Sequence, residues 1–335
     1  MKKLFFLLAA GIYFTSVFAQ PNEDAQTLHE TARVFMKQGD YENALFVLNK
    51  ALAIAPEDLD ILKDKAFVSY LKRDFAGAIE TGKKITSSDQ ADIQSYQILG
   101  LAYKAIADYK NCEKMYKEAL QKFPASGILY SEYGDMLNSD KRGKDAIKLW
   151  EKGIEIDPVQ SSNYYFASAY YASIGNYFWS ILYGENFVNI ESLTARTTEI
   201  KQILLDDYKK MYTGNYLDEF LKNATPFEKA VGEEFLKLNA ITNYGITPES
   251  LVALRARFIL NWYPEKAIAF PYKLFDLQRT LLQEGYFTAY NYWLFDSEDN
   301  FKTWTVANNE ASITYLQYQR NVLYKPIKGQ YYAHQ

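Results

Sequence analysis

Cysteine and histidine are nearly missing from this chain. Cys112 stands alone in 335 residues, and the only histidines are His29 and His334. A single thiol forms no internal disulfide, so stability has to come from packing. Two distant histidines, with no cysteine or acidic cluster at ligand spacing, leave little from which to build a zinc site or a serine–histidine–aspartate triad. No metal and no cofactor is expected. Glycine-rich phosphate loops and dinucleotide fingerprints are absent as well. So is an excess of positive charge: 37 basic residues face 41 acidic ones. That balance gives no electrostatic footprint for nucleic acid and little long-range attraction to anionic membranes.

Long apolar runs are also scarce. The one present, Leu4 to Phe18, follows Met1-Lys2-Lys3 and precedes Ala19-Gln20-Pro21. It is shorter than the roughly 20 residues of a membrane span and reads as a secretory signal peptide over residues 1–19, cut after Ala19. A periplasmic or secreted protein is expected, with no stable membrane insertion after cleavage. No cysteine near the cut invites lipid attachment. Losing Lys2 and Lys3 with the leader leaves 35 basic against 41 acidic residues.

What the chain does hold is tyrosine and phenylalanine, 29 and 21 residues, and a repeat. Steps of 34 residues lead from Tyr96 to Tyr130 and Tyr164, from Gly100 to Gly134, and from Pro124 to Pro158. A fixed period with matched chemistry marks stacked supersecondary units. Five units share the frame: 25–58, 59–92, 93–126, 127–160 and 161–194. Their eighth positions are small (Ala32, Ala66, Gly100, Gly134, Ser168), and so are their twentieth (Ala44, Ala78, Cys112, Ala146, Ser180). Small residues at both places let two helices approach closely. Cys112 therefore reads as a small buried hydrophobe rather than a reactive thiol. Turns are expected at Gly39-Asp40-Tyr41, Asp74-Phe75, Asp108-Tyr109 and Gly175-Asn176-Tyr177, with Gly or Asn closing the preceding helix in a left-handed conformation.

The third unit carries Tyr96, Leu99, Gly100 and Tyr103, followed by Cys112, Tyr116, Ala119 and Pro124. This resembles the tetratricopeptide repeat, a helix-turn-helix unit with the pattern Trp-x2-Leu-Gly-x2-Tyr, then Ala, an aromatic, Ala and Pro. The expected fold is all-α: a superhelical solenoid of about five such repeats, then an aromatic-rich helical C-terminal or capping domain over 195–335. In that region helices are expected over 197–212, 226–238, from Pro248, over 271–284 and 287–295, with two more within 301–323. No stretch there alternates with period two for long enough to need a sheet. The run Phe270 to Phe295 resembles the C-terminal region of exported repeat proteins from Bacteroidota-type bacteria, a resemblance that carries no catalytic motif.

In tetratricopeptide folds the first helix of each unit lines the concave side. The resemblance thus implies a partner-binding groove made of His29, Arg33, Lys63, Phe67, Tyr70, Gln97, Leu101, Lys104, Ser131, Asp135, Asn138 and Tyr165. Arg33, Lys63 and Lys104 would meet the carboxylates of an extended peptide. The chaperone-tail clamp of the family is not matched, since Phe67 stands where an asparagine-like partner would help. A second surface is the aromatic string from Tyr286 to Phe295, in which Tyr286, Tyr290 and Trp293 share a helical face. It is either core or a platform for sugar rings. Asp296 to Asn300 reads as a solvated turn rather than a calcium loop, lacking the glycine and terminal glutamate of such a site. Glu233, Glu234, Glu265 and Glu284 read as helix-surface charges.

The expected function is an exported, non-enzymatic scaffold for protein or peptide partners, in envelope assembly or secretion. Glycan capture by the C-terminal aromatics is the alternative among binding functions. Peptidoglycan cleavage is the enzymatic alternative, although the Glu-Ser and Gly-Leu-Met-Gln segments of that lysozyme-like family are not found.

Overall fold

The computed structural model describes residues 24–295 and 299–333. The signal-peptide expectation, most of the Asp296–Asn300 turn and His334 lie outside the described residues. Among those described there are eighteen α-helices, one short 3-10 turn and no strand. The ten helices of the repeats are α1 (Ala25–Gln38), α2 (Tyr41–Ile54), α3 (Leu59–Leu71), α4 (Phe75–Thr86), α5 (Ile93–Ala105), α6 (Tyr109–Lys122), α7 (Gly127–Ser139), α8 (Gly143–Ile156), α9 (Ser161–Ser173) and α10 (Tyr177–Ile190).

Both ends of these helices repeat every 34 residues. Asp24, Asp58 and Asp92 precede the first helices of units one to three, and each carboxylate accepts from an amide in the first turn of its helix. Asp40, Asp74 and Asp108 do the same for the second helices, and Asn176 for α10. A side-chain oxygen there satisfies one of the amides a helix start leaves unpaired, and its removal typically costs about 1 kcal/mol. Ser126, Arg142 and Gln160 occupy the same frame without a side-chain cap. The residue ahead of each second-helix cap has a positive φ, at Gly39, Arg73, Ala107, Lys141 and Gly175. Only two of the five are glycine. The tight reversal between the helices of a unit therefore imposes the left-handed conformation whatever side chain is present.

The chain divides into two compact units that meet between Ala102 and Tyr103, within the third repeat. In the first unit, α1 packs on α2, α2 on α3, and α3 on α4. Leu28, Ala32, Ala44, Leu48, Ala51, Ile61 and Val68 form one buried cluster there. In the second, α7 packs on α8 and α9 on α10, with Trp150 and Phe166 stacked at 5.3 Å between neighbouring repeats. The eighth and twentieth positions of the fifth repeat are both serine. Ser168 Oγ donates to the Ser180 carbonyl and Ser180 Oγ to the Ser168 carbonyl, at 2.9 and 3.0 Å, so two buried hydroxyls are satisfied at the close approach.

The remaining helices complete the second unit. α11 (Ala195–Met211) covers α9 and α10. After it come α12 (Tyr216–Leu221), α13 (Pro226–Lys237), α14 (Pro248–Glu265), α15 (Lys273–Gln283), α16 (Phe287–Leu294), α17 (Asp299–Ala307) and α18 (Asn309–Asn321). Thr225 and Thr247 open α13 and α14 with reciprocal caps, each followed by proline at the first turn. α12 and the 3-10 turn Asn239–Thr242 have no counterpart in the sequence reading.

A buried polar hub joins four of these helices. Glu185 of α10 pairs with Arg255 of α14 and accepts from Gln278 of α15 at 2.7 Å and Tyr290 of α16 at 2.6 Å. Arg255 also donates to Asn291. Both charged side chains are at most 2% exposed. One expectation is corrected here. Glu234 is buried, with its two oxygens taken up by Lys237 and Asn261, so it is not a surface charge.

Candidate partner-binding surfaces

On α3, Asp60, Lys63, Phe67 and Tyr70 are spaced three and four apart and share one stripe. Lys63 is buried and bridges Asp60 and Asp92, each at 2.8 Å. Burial works against its ammonium, but the two carboxylates outweigh it and its pKa is raised. The hydrogen bond from Lys63 is the chief reason the Asp60 carboxyl lies below its usual value. Asp64 accepts from both His29, at 2.7 Å, and Arg33, at 2.8 Å. Phe67 and Tyr70 are half-buried and stacked at 6.3 Å, with Phe75 tilted against Tyr70 at 5.9 Å. The first-helix side of this unit thus presents a ring pair flanked by matched charges.

Gln97 and Leu101 of α5 are half-buried. Within the second unit, Lys104 reaches Asp135 at 2.8 Å. Ser131 is buried and its carbonyl accepts from the Trp150 indole at 3.1 Å, so it supports the repeat rather than facing a ligand. Asn138 is exposed. Tyr165 donates to Glu199 at 2.8 Å and lies under the Arg196 guanidinium. Partial burial and then the Glu199 bond push its phenol up to about 12. Beside these, Glu113 binds Arg142, Lys117 and Tyr133, and the Arg142 bond above all holds its carboxyl down at about 2.

The three cations expected to receive a peptide's carboxylates therefore already hold carboxylates of their own. The sequence reading placed Asp135 in the groove but paired none of the three cations with its carboxylate. The one sequence signal of such pairing is an offset of 31 residues, shared by Arg33–Asp64 and Lys104–Asp135.

The aromatic string divides. Tyr290 and Trp293 are buried, Tyr290 against the Glu185–Arg255 pair and Trp293 under the Lys201 ammonium at 4.0 Å. They serve as core and cannot form a platform. Tyr286 remains half-exposed on a cleft of about 520 Å³ between α16 and the α17–α18 corner. Trp304 lines the same cleft, backed by Tyr292 in a parallel stack at 4.2 Å.

No group of three or more metal-ligating side chains is present among the described residues, and no described helix is long and apolar enough to cross a membrane. Cys112 is fully buried, and burial pushes its thiol up to about 12, far from a thiolate at neutral pH. What fold and surface define is a helical-repeat protein, built of hairpins with small-residue seams and ion-paired first-helix faces.

Residues 35–101 and 93–121 each match the tetratricopeptide repeat family. Among solved structures, the chain is similar to the thermophilic tetratricopeptide protein TTC0263 of Thermus thermophilus, at 16% identity over 54% of this chain and 99% of that one, TM-score 0.46. It is also similar to MamA, at 22% identity over 48% and 94%, TM-score 0.41. A third is YrrB, described as having an unusual peptide-binding site, at 17% identity over 54% and 94%, TM-score 0.39. No curated protein matches the chain.

Proposed function

We propose that this protein is an exported scaffold that binds protein or peptide partners on the first-helix faces of its repeats, in the service of envelope assembly or secretion. The observation that carries this reading is the half-buried Phe67–Tyr70 pair, set on one stripe of α3 among charges that are already matched. An acidic tail alone gains little there, since it would have to displace Asp60, Asp64 or Asp92. A partner segment with an apolar or aromatic side chain gains by covering the rings, at about 25 cal/mol per Å² of apolar surface removed from water. The matched charges on either side then fix its direction. The apolar leader supports the export part of the proposal.

The test is affinity capture of the mature protein from its native envelope, run beside a Phe67→Ser/Tyr70→Ser variant. Partners recovered with the wild type are expected to fall at least about tenfold with the variant, the equivalent of 1.4 kcal/mol. Melting temperatures should stay close. An identical set of partners on both would sink the proposal. Amino-terminal sequencing of the mature protein, expected to begin at Gln20, tests export.

The cleft beside α16 favours glycan binding as a second reading. Its walls are the rings of Tyr286 and Trp304, and Asn308, Asn309 and Thr314 offer hydrogen-bonding groups around them. Among the described residues lining it, Glu310 is the one carboxylate, where a two-carboxylate hydrolase needs a pair. Oligosaccharide should change the tryptophan fluorescence of the wild type and leave Trp304→Ala unaffected. A response that persists in Trp304→Ala counts against this reading.

A further inference from the structure

After α18 the chain runs without helix from Val322 to Ala333 across the second unit. Residues 323–331 make no main-chain to main-chain hydrogen bond with other described residues, so this strap is held by its side chains. Tyr324 donates to Asn186 of α10 at 2.7 Å. Gln330 accepts from the Lys273 amide at the start of α15, at 2.7 Å. Tyr331 stacks on Phe227 of α13 with ring centres 4.1 Å apart and donates to the Ala269 carbonyl. At the far end, the Ala333 amide donates to Tyr183 of α10 at 3.3 Å.

Tyr324, Pro326 and Tyr332 are buried, whereas Leu323, Lys325, Ile327 and Lys328 are exposed. This is how a protein holds an extended peptide: separate anchors enter a preformed slot and the intervening backbone stays in water. A segment with so few backbone bonds belongs to the least stable part of a fold. Where the strap leaves α18, Val322 and Leu323 are exposed and tie it to nothing beyond the helix end.

We propose that the slot beside α10 is a recognition site for an extended, tyrosine-bearing peptide, that residues 322–333 fill it in cis, and that the same segment of a second copy fills it in trans. Reciprocal exchange between two copies would keep every anchor, so rising concentration favours the arrangement in trans. The proposal stands apart from the reading of the repeat faces, since Phe67 and Tyr70 take no part in it.

The test uses the full chain carrying Tyr324→Ser and Tyr331→Ser, and a fluorescent peptide with the sequence of residues 322–333. The peptide should bind the substituted chain at least about tenfold more tightly than the wild type, whose own strap competes at high effective concentration. Placing the same two serines in the peptide should weaken binding at least about tenfold. In the wild type, amides of Lys325 and of residues 327–329 should exchange with deuterium far faster than those of α10. A substituted chain that keeps the wild-type circular dichroism yet fails to bind the peptide overturns the proposal. So does a substituted chain that no longer folds, or strap amides protected as strongly as α10, because either would make the strap a core element.

Discussion

Arg73, Ala107 and Lys141 each hold a left-handed backbone where the first and fifth repeats have glycine. A side chain there costs about 1–2 kcal/mol against the right-handed form, and glycine loses about 0.5–1 kcal/mol of that gain to the greater freedom of the unfolded chain. Arg73→Gly, Ala107→Gly and Lys141→Gly should each raise stability by about 0.5–1 kcal/mol, read as a higher urea midpoint. Gly39→Ala should lower it. A lowered midpoint for all three glycine variants would refute the strain. Asp207 of α11 is 1% exposed, and the Ser180 hydroxyl works against the effect of burial on its carboxyl without cancelling it. The nearest cation, Lys210, is 3.9 Å away. Burial lifts the carboxyl from 3.8 to about 6. Its folded-state pKa is thus above its unfolded one, so its contribution is full below about pH 4 and lost as pH rises through 6. The loss is on the order of 3 kcal/mol. Asp207→Asn should stabilise the protein at pH 7.5 and change little at pH 4. An equal difference between the two proteins at both pH values would remove Asp207 as the cause.

At the level of the helix pair, the seam at Gly134 is tighter than its sequence pattern alone requires. A Cβ there would lie 2.3 Å from the indole nitrogen of Trp150, which is 1% exposed and held by the Ser131 carbonyl. Gly134→Ala should already cost about 1–3 kcal/mol by overpacking, and Gly134→Leu more. An unchanged urea midpoint for the leucine variant would disprove the close approach. The hairpins were legible in the sequence because the signals of turn, cap and small seam all recur at one spacing and reinforce one another. Asp40, Asp74 and Asp108 sit beside the turns the sequence marks, and the structure makes each a cap. The groove was less legible. The family resemblance implies that Arg33 and Lys104 line the groove, but their neutralisation by Asp64 and Asp135 joins side chains of neighbouring repeats. The strap was not legible at all. Tyr324 and Ala333 find their partners 138 and 150 residues away in the chain, with no period to announce them.

Across the molecule the most consequential contact is the Glu185–Arg255 hub, since it ties the fifth repeat to the C-terminal helices within the second compact unit. α10 supplies the carboxylate, α14 the guanidinium, and α15 and α16 further donors. Pairing of this kind adds little net stability over an apolar core, yet removal of one partner strands the other charge without water, at about 3–5 kcal/mol. Arg255→Met should therefore destabilise the unit from Tyr103 onward by that amount. Adding Glu185→Leu removes the stranded charge and should recover part of the loss. Recovery stays incomplete because Gln278, Tyr290 and Asn291 then lack the partners they hold now. The coupling also has a spatial signature. Trp179 lies in α10 and Trp262 in α14, both fully buried. In the wild-type chain, hydrogen exchange of the α10 amides around Trp179 and of the α14 amides around Trp262 should rise at the same urea concentration. Two separated transitions would mean that the fifth repeat and the C-terminal helices unfold independently, and the hub would then be a local contact rather than the joint of the second unit.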